Sequence, residues 1–215
     1  MSITPQEASL KAREICELAP IVPVLVVHEV VHARPLAEAL VAGGLPALEV
    51  TLRTPAALDV ISEMAKVEGG VVGAGTLLTP DDVKAAKDAG AQFGVSPGAT
   101  DKLLDAAEAE GLPMLAGAAT ASEAMALLER GYSMLKFFPA EASGGAPALK
   151  SLASPLPQIS FCPTGGVSPS NAESYLSLPN VVCAGGSWVA PIDMVKSGDW
   201  AGIEALAKEA SQLPR

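Results

Sequence analysis

The chain has 215 residues, enough for one large domain with a sizeable core, and 49% of them are hydrophobic although only 4% are aromatic. Acidic residues outnumber basic ones and give a formal net charge of −10, which disfavours nucleic acid and anionic membranes as partners. No apolar run has the ~20 residues of a membrane-spanning helix and the N-terminus lacks the apolar segment of a signal peptide, so we expect a cytoplasmic protein.

Short apolar runs alternate with helical segments along the chain, after a first helix predicted at Pro5–Leu18. The predicted strands are Ile21–Val27, Ala47–Arg53, Val71–Gly75, Gln92–Val95, Pro113–Ala116, Met134–Phe138, Ile159–Pro163 and Val181–Gly185. The other predicted helices are Arg34–Val41, Pro55–Val67, one that begins at Thr79, Thr100–Glu110, Thr120–Arg130, Pro147–Leu152, Asn171–Leu176 and Trp200–Gln212.

The strands recur roughly every 20–26 residues, so each connection is long enough to join parallel neighbours. This pattern predicts an α/β fold, a single-domain (β/α)8 TIM barrel over residues 1–215 with an extra N-terminal helix. An open doubly wound sheet is the alternative, but no G-x-G-x-x-G turn follows the first strand.

The three cysteines, Cys16, Cys162 and Cys183, are odd in number, widely spaced and outside any metal-ligand pattern. Such cysteines are typical of free, buried thiols in a reducing compartment. We therefore expect neither a disulfide framework nor a metal site.

Lys136 lies in the apolar run Ser133–Pro139, where a lysine is hard to explain structurally. An ammonium group enclosed without a partner loses its proton readily, and only the neutral amine attacks a carbonyl carbon. Taken alone, the segment favours a simpler interpretation, an edge-strand lysine whose ammonium reaches water.

Polar side chains on the second strand favour the catalytic interpretation. Glu49, Thr51 and Arg53 alternate with apolar residues, and we expect their shared face to point into the barrel. Buried charged groups are retained only when they form ion pairs or take part in binding or catalysis. A structural Glu49–Arg53 ion pair is therefore the alternative to a catalytic site. If Lys136 also points inward, it meets Glu49 and Arg53, and the arginine charge favours the neutral amine.

Two Gly-Gly turns follow the last two strands. Thr164 lies beside the first turn and Ser187 beside the second. Loops in these places bind phosphate in TIM barrels through backbone N–H groups. The expected phosphate and hydroxyl contacts are Thr164, Gly165, Gly166, Gly185, Gly186 and Ser187.

These residues form a chemically coherent set. The amine of Lys136 would attack the carbonyl of a keto acid, and Glu49 would carry protons during imine formation and carbon–carbon cleavage. Arg53 offers a forked donor to the keto-acid carboxylate, and Thr76 at the end of the third strand adds a hydroxyl.

Seven segments closely resemble 2-keto-3-deoxy-6-phosphogluconate (KDPG) aldolases and together span nearly the whole chain. They are Val24–Val27, Leu48–Thr54, Val72–Thr76, Gln92–Gly98, Leu135–Glu141, Phe161–Gly166 and Gly185–Trp188. The resemblance implies a homotrimeric, metal-independent class I aldolase that cleaves the phosphorylated keto acid KDPG to pyruvate and D-glyceraldehyde 3-phosphate. It also implies activity on 4-hydroxy-2-oxoglutarate (KHG), and no cofactor beyond a covalent imine on Lys136.

The resemblance also implies roles for single residues. Lys136 matches the Schiff-base lysine, Glu49 the general acid/base, and Phe138 a wall of the pocket. The positions that match pyruvate-carboxylate contacts are Arg53, Thr76 and Pro97. An aldolase for the galactonate-derived epimer, a sugar-phosphate isomerase and a non-catalytic sugar-phosphate binder are the alternatives.

Overall fold

A computed structural model describes all 215 residues as eight parallel strands in a barrel, with helices between them. The strands are β1 (Ile21–Leu25), β2 (Ala47–Thr51), β3 (Val71–Gly75), β4 (Phe93–Val95), β5 (Met114–Ala118), β6 (Met134–Phe137), β7 (Ser160–Pro163) and β8 (Ala184–Gly186). They pair in chain order from β1 to β7, and β8 pairs with β1. Bridges from Phe161 to Val181 and from Thr164 to Gly185 connect β7 to the β8 segment. The predicted (β/α)8 barrel is therefore confirmed.

The helices are α1 (Pro5–Cys16), α2 (Ala33–Ala42), α3 (Ala57–Met64), α4 (Pro80–Asp88), α5 (Asp101–Glu110), α6 (Ala121–Arg130), α7 (Gly145–Ala153), α8 (Ala172–Leu176), α9 (Ile192–Ser197) and α10 (Trp200–Ser211). Each predicted helix begins within three residues of its predicted start, and each predicted helix end is also within three residues. Helix α9 was not predicted, and no end was predicted for α4. A 3-10 turn covers Val30–His32. None of the helices combines the length and the apolar character that a membrane span requires.

Side chains alternate along the strands between two separate apolar layers. Leu48 and Val50 of β2 belong to the larger layer, between the strands and the helices. Ala47 and Met134 belong to the smaller layer, inside the barrel. The next inward positions of β2 and β6, further toward the carboxyl ends of the strands, are polar. The barrel interior is thus apolar at one end and polar at the other.

Helix α1 closes the amino-terminal end of the barrel. Its Ala12 and Cys16 pack into the interior layer. The hydroxyl oxygen of Ser9, which is 2% exposed, accepts hydrogen bonds from the N–H groups of Ser133 at 2.9 Å and Met134 at 3.0 Å. These hydrogen bonds attach the extra N-terminal helix to the start of β6.

Four glycines that face the interior leave room for neighbouring groups. An added Cβ atom at each of them would overlap its neighbour, and the pairs are Gly73 with Phe93, Gly75 with Glu49, Gly117 with Pro97, and Gly185 with Thr164. A narrow barrel has space for a few large side chains only where the facing positions lack a side chain.

Two strands end two residues earlier than the sequence pattern predicts. β1 ends at Leu25, and β2 ends at Thr51 instead of Arg53. Leu52 still donates its N–H to the carbonyl oxygen of Gly75 over 2.8 Å. The N–H of Arg53 turns back to the carbonyl oxygen of Thr51 over 2.7 Å, so the chain leaves the sheet there.

The last part of the barrel differs most from the prediction. β8 begins at Ala184, because the predicted first residue, Val181, makes only an isolated bridge. Helix α9 follows, and its signals are Pro191 before its first residue, Asp193 in its first turn and Gly198 with a φ of 70° after its end.

We expect Gly73→Ala to lower the free energy of unfolding by about 1–3 kcal/mol, because the new methyl group overlaps the buried ring of Phe93. Gly98→Ala is the matched control, since an added Cβ there meets nothing within 4 Å. Urea unfolding followed by circular dichroism measures both variants. Equal stability of Gly73→Ala and the control would contradict the tight packing of the interior.

Candidate active site

Two adjoining cavities lie at the carboxyl ends of the strands. The inner cavity has a volume of about 160 Å³ and is lined by Val24, Glu49, Thr51, Arg53, Thr76, Pro97, Lys136, Phe138 and Thr164. The outer cavity has a volume of about 380 Å³ and is lined by Val24, Val26, Arg53, Phe138, Thr164–Val167, Gly185, Ser187 and Ala190–Ile192. Because four wall residues are common to both lists, the two cavities form one cleft.

Lys136 and Glu49 face each other in the inner cavity. The Nζ atom of Lys136 lies 3.3 Å from Oε1 of Glu49. The two side chains are only 7% and 3% exposed. Lys136 is therefore a buried, paired lysine, and the interpretation as an edge-strand lysine in contact with water is wrong.

The environment of Glu49 is built by its neighbours in the sheet. Gly75 of β3, which pairs with β2, provides the space that the carboxylate occupies. Thr51, the next inward residue, donates its hydroxyl to the carbonyl oxygen of Leu25 over 2.8 Å and so ties β2 to β1. The predicted alternative of a Glu49–Arg53 ion pair is not what the structure contains, since Glu49 pairs with Lys136.

Arg53 lies at the mouth of the cleft, where it lines both cavities. The predicted strand end at Arg53 is wrong, because β2 ends at Thr51; Arg53 lies beyond that end, is exposed, and still lines the inner cavity. Its guanidinium group makes no ion pair with the protein. It is therefore available to an anion that enters the cleft.

Thr76 reaches the inner cavity through an unusual backbone conformation. Gly73 and Gly75 face inward, so simple alternation would point Thr76 toward the helices. Its φ of 64° is the only positive φ of a non-glycine residue in the chain. A β-branched residue in this region is strained by about 1–3 kcal/mol, and such strain concentrates at functional sites.

Phe138 and Pro97 form apolar walls of the inner cavity. The centroid of the Phe138 ring lies 5.2 Å from the Nζ atom of Lys136. Pro97 lies against Gly117, which has no side chain to displace it. These walls limit the water that reaches the amine.

The three cysteines lie together inside the barrel, in the apolar layer that α1 closes. All three are free and at most 2% exposed, which confirms the predicted buried thiols. Hydrogen bonding with Cys16 and Cys183 lowers the pKa of Cys162, and the charge of nearby Lys136 acts in the same direction against the effect of burial. No group of three His, Cys, Asp or Glu side chains in the structure has an arrangement that could hold a metal ion.

Unpaired backbone N–H groups line the outer cavity. Gly165 and Gly166 have φ values of 99° and 81°, a conformation that suits glycine. The N–H groups of Gly165, Gly166 and Val167 have no acceptor within the protein, and neither has that of Ser187. Four such donors on one wall are an arrangement that binds anions.

One residue of the predicted phosphate site lies elsewhere. Gly185 and Thr164 line the outer cavity, but Gly186 does not. By alternation Gly186 is on the helix side of β8, where an added Cβ atom would overlap the indole ring of Trp188. Gly186 is therefore the one residue of the expected phosphate site that is absent from the cavity lining, although its neighbours Gly185 and Ser187 belong to it.

Part of the cleft wall was not predicted from the sequence. Val24 and Val26 of the first strand segment and Ala190–Ile192 before α9 complete the outer cavity. The start signals of α9, above all Pro191 with Asp193 two residues later, were the available indication.

Three comparisons place these features among known proteins. The profile of the family described as KDPG and KHG aldolase matches residues 12–206. A 2-dehydro-3-deoxy-phosphogluconate aldolase of Pseudoalteromonas atlantica is 52% identical over 202 residues, which are 94% of each chain.

Two crystal structures are also similar. The 2-keto-3-deoxy-6-phosphogluconate aldolase of Zymomonas mobilis with 3-phosphoglycerate is 50% identical with a TM-score of 0.91, over 96% of this chain and 98% of that one. The KDPG aldolase of Legionella pneumophila, with pyruvate captured as a covalent carbinolamine intermediate, is 44% identical with a TM-score of 0.90, over 93% and 98%.

We expect Lys136→Met to lower the free energy of unfolding by about 3–5 kcal/mol, because it leaves the carboxylate of Glu49 buried without a partner. The double variant Lys136→Met/Glu49→Leu removes both charges and should regain the wild-type stability or exceed it. Urea unfolding measures both. A double variant as unstable as Lys136→Met would contradict this explanation, because it would mean that the ion pair itself stabilises the fold.

Proposed function

The chain belongs to the KDPG and KHG aldolase family, and we propose that it is a class I aldolase that cleaves KDPG to pyruvate and D-glyceraldehyde 3-phosphate. The observation that carries this proposal is the buried contact of 3.3 Å between Lys136 and Glu49. It lies in a cleft whose rim has unpaired N–H groups. A keto acid with a phosphate at its other end matches both features.

In the proposed reaction, the neutral amine of Lys136 adds to the keto carbonyl carbon, C2, of the substrate. The resulting carbinolamine loses water to give an iminium ion. The Glu49 carboxylate then takes the proton of the C4 hydroxyl, the C3–C4 bond breaks, its electron pair is accepted by the iminium group to give an enamine, and the aldehyde leaves. Glu49 returns that proton to C3 of the enamine, and water hydrolyses the imine to pyruvate and free lysine.

Glu49 is the proton carrier in this proposal. Its carboxylate is within reach of the Lys136 nitrogen, so it takes the ammonium proton and delivers a proton to the carbinolamine hydroxyl. The covalent carbinolamine in the Legionella pneumophila relative supports this route.

We propose that the two ends of the substrate bind in the two cavities. Arg53 and Thr76 bind the keto-acid carboxylate, with Pro97 and Phe138 as walls. The phosphate binds to the N–H groups of the turn at Gly165–Gly166 and of Ser187, beside Thr164 and Gly185. The Zymomonas mobilis structure with 3-phosphoglycerate supports a phosphorylated ligand.

The buried ion pair distinguishes this proposal from the alternatives. A sugar-phosphate binder would use the outer cavity but has no need of the two buried charges beneath it. A sugar-phosphate isomerase moves a proton with a pair of bases or with a metal ion and has no need of an amine nucleophile. KHG, which would give pyruvate and glyoxylate, shares the keto-acid end and appears in the family description. We propose KHG as a second substrate.

We also propose that no metal ion or other cofactor takes part, because the imine itself accepts the electron pair.

A homotrimer is the proposed assembly. It is supported by the exposed apolar residues Val31 and Leu78, which are 71% and 59% exposed and suit contacts between copies. Sedimentation equilibrium tests this assembly, because a homotrimer has three times the 21.7 kDa mass of one chain.

The free thiols support a cytoplasmic location, which cell fractionation tests.

Pyruvate release, coupled to lactate dehydrogenase in the presence of EDTA, tests the activity. We expect the highest kcat/KM with KDPG, and lower values with the galactonate-derived epimer and with KHG. Glu49→Gln should lower kcat by about 10²–10⁴-fold, because glutamine keeps the shape of the side chain but can neither accept nor release a proton in the reaction.

Glu38→Gln is the matched control for the loss of one negative charge. Glu38 is 59% exposed on α2, where it pairs with Arg34 at 3.5 Å. Wild-type kcat in Glu49→Gln would remove Glu49 from the mechanism. Wild-type protein that releases pyruvate from none of the three keto acids would overturn the proposed activity.

A further inference from the structure

The three carbonyl groups of the turn Thr164–Gly166 in the outer cavity all accept hydrogen bonds from residues that do not line the cavity. The carbonyl oxygen of Thr164 accepts from the N–H of Ala140 at 2.8 Å, and that of Gly165 from the N–H of Glu141 at 3.1 Å. The carbonyl oxygen of Gly166 accepts from the side-chain Nδ2 of Asn171 at 3.0 Å.

These three hydrogen bonds orient the donors of the next residues. In a trans peptide the C=O and the following N–H point in opposite directions. A carbonyl group held away from the cavity therefore turns the next N–H toward it. The three N–H groups concerned are those of Gly165, Gly166 and Val167, and these are the unpaired donors of the outer cavity.

Asn171 differs from the other two partners because its contact is made by a side chain. Its Oδ1 accepts from the N–H of Ser168 at 2.8 Å, which leaves Nδ2 as the atom that donates to Gly166. Asn171 occupies the N-cap position of α8, yet its side chain makes no hydrogen bond to that helix. The side-chain amide of Asn171 thus forms its hydrogen bonds with Gly166 and Ser168 and not with α8.

Glu141 fills the space behind the same turn. A Cβ atom on Gly166 would lie 2.5 Å from Cγ of Glu141. The hydroxyl of the buried Tyr175 donates to the carboxylate of Glu141 and so holds this side chain in place. The turn therefore has packing on its far side as well as hydrogen bonds.

We propose that Asn171 is a positioning residue for the substrate phosphate: its amide holds the carbonyl group of Gly166 outward and so keeps the N–H of Val167 directed at the phosphate. This inference rests on the proposed phosphate site. Asn171 lines neither the outer nor the inner cavity, so we expect its loss to affect the phosphate end and to leave imine formation unchanged.

Asn171→Asp is the decisive variant, because aspartate keeps the acceptor for Ser168 but has no donor for Gly166. Asn171→Ala removes the donor without adding a charge. We expect both to raise KM for KDPG, and the dissociation constant of inorganic phosphate measured by titration calorimetry, by roughly three- to tenfold or more. Ser177→Ala, an exposed hydroxyl at the other end of α8, is the control and should change neither value.

A readout that does not involve phosphate completes the test. The rate at which borohydride traps pyruvate on the enzyme should equal that of wild type in all three variants, as should the melting temperature within a few degrees. Equal losses in phosphate affinity and pyruvate trapping would show a general structural role and overturn the proposal.

Two further outcomes also contradict it. An effect confined to Asn171→Asp would mean that the new charge, not the lost donor, is responsible. Wild-type affinity for phosphate in both variants would mean that the turn keeps its orientation without Asn171. If wild-type protein binds inorganic phosphate but cleaves no phosphorylated keto acid, the proposed activity fails while the positioning role of Asn171 is still decided by calorimetry.

Discussion

The contact between the ammonium of Lys136 and the carboxylate of Glu49 is the interaction on which the rest of the site depends. Two enclosed charges persist only if each has the other as partner, because water no longer solvates them. The fold meets this requirement with specific features. Gly75 leaves space for the carboxylate, α1 closes the opposite end of the barrel, and the strands that carry the two residues are held in register by the sheet. A barrel can therefore hold a reactive amine without exposing it to bulk water.

The ion pair and the unpaired N–H groups occupy different parts of the cleft. The ion pair comes from strands β2 and β6, whereas the N–H groups come from the turns that follow β7 and β8. These turns use backbone N–H groups, whose direction depends on how the carbonyl groups behind them are held. Backbone N–H groups can bind a phosphate without a lysine nearby, so the proposed phosphate site is compatible with a chain whose net charge is −10.

The fold and the central residues were predictable because they depend on local periodicity. Regular spacing of apolar runs identified all eight strands, and alternation put Glu49 and Lys136 on inward faces. Other features depend on tertiary contacts that the sequence pattern does not show. Arg53 continues the alternation of β2 in sequence, but a backbone turn takes it out of the sheet. Thr76 enters the cavity only through its positive φ, which no pattern of residues encodes. Cys16 and Cys162 are far apart in sequence, and only the closure of the barrel by α1 brings them together.

The most direct test of the central claim is reduction with borohydride in the presence of pyruvate, followed by mass spectrometry of proteolytic peptides. A lysine that forms an imine with a keto acid is converted to a stable secondary amine by this treatment. We predict one adduct per chain, on the peptide that contains Lys136, and none in Lys136→Met. An adduct on another lysine, such as the exposed Lys150, or no adduct at all, would contradict the assignment of Lys136 as the reactive amine.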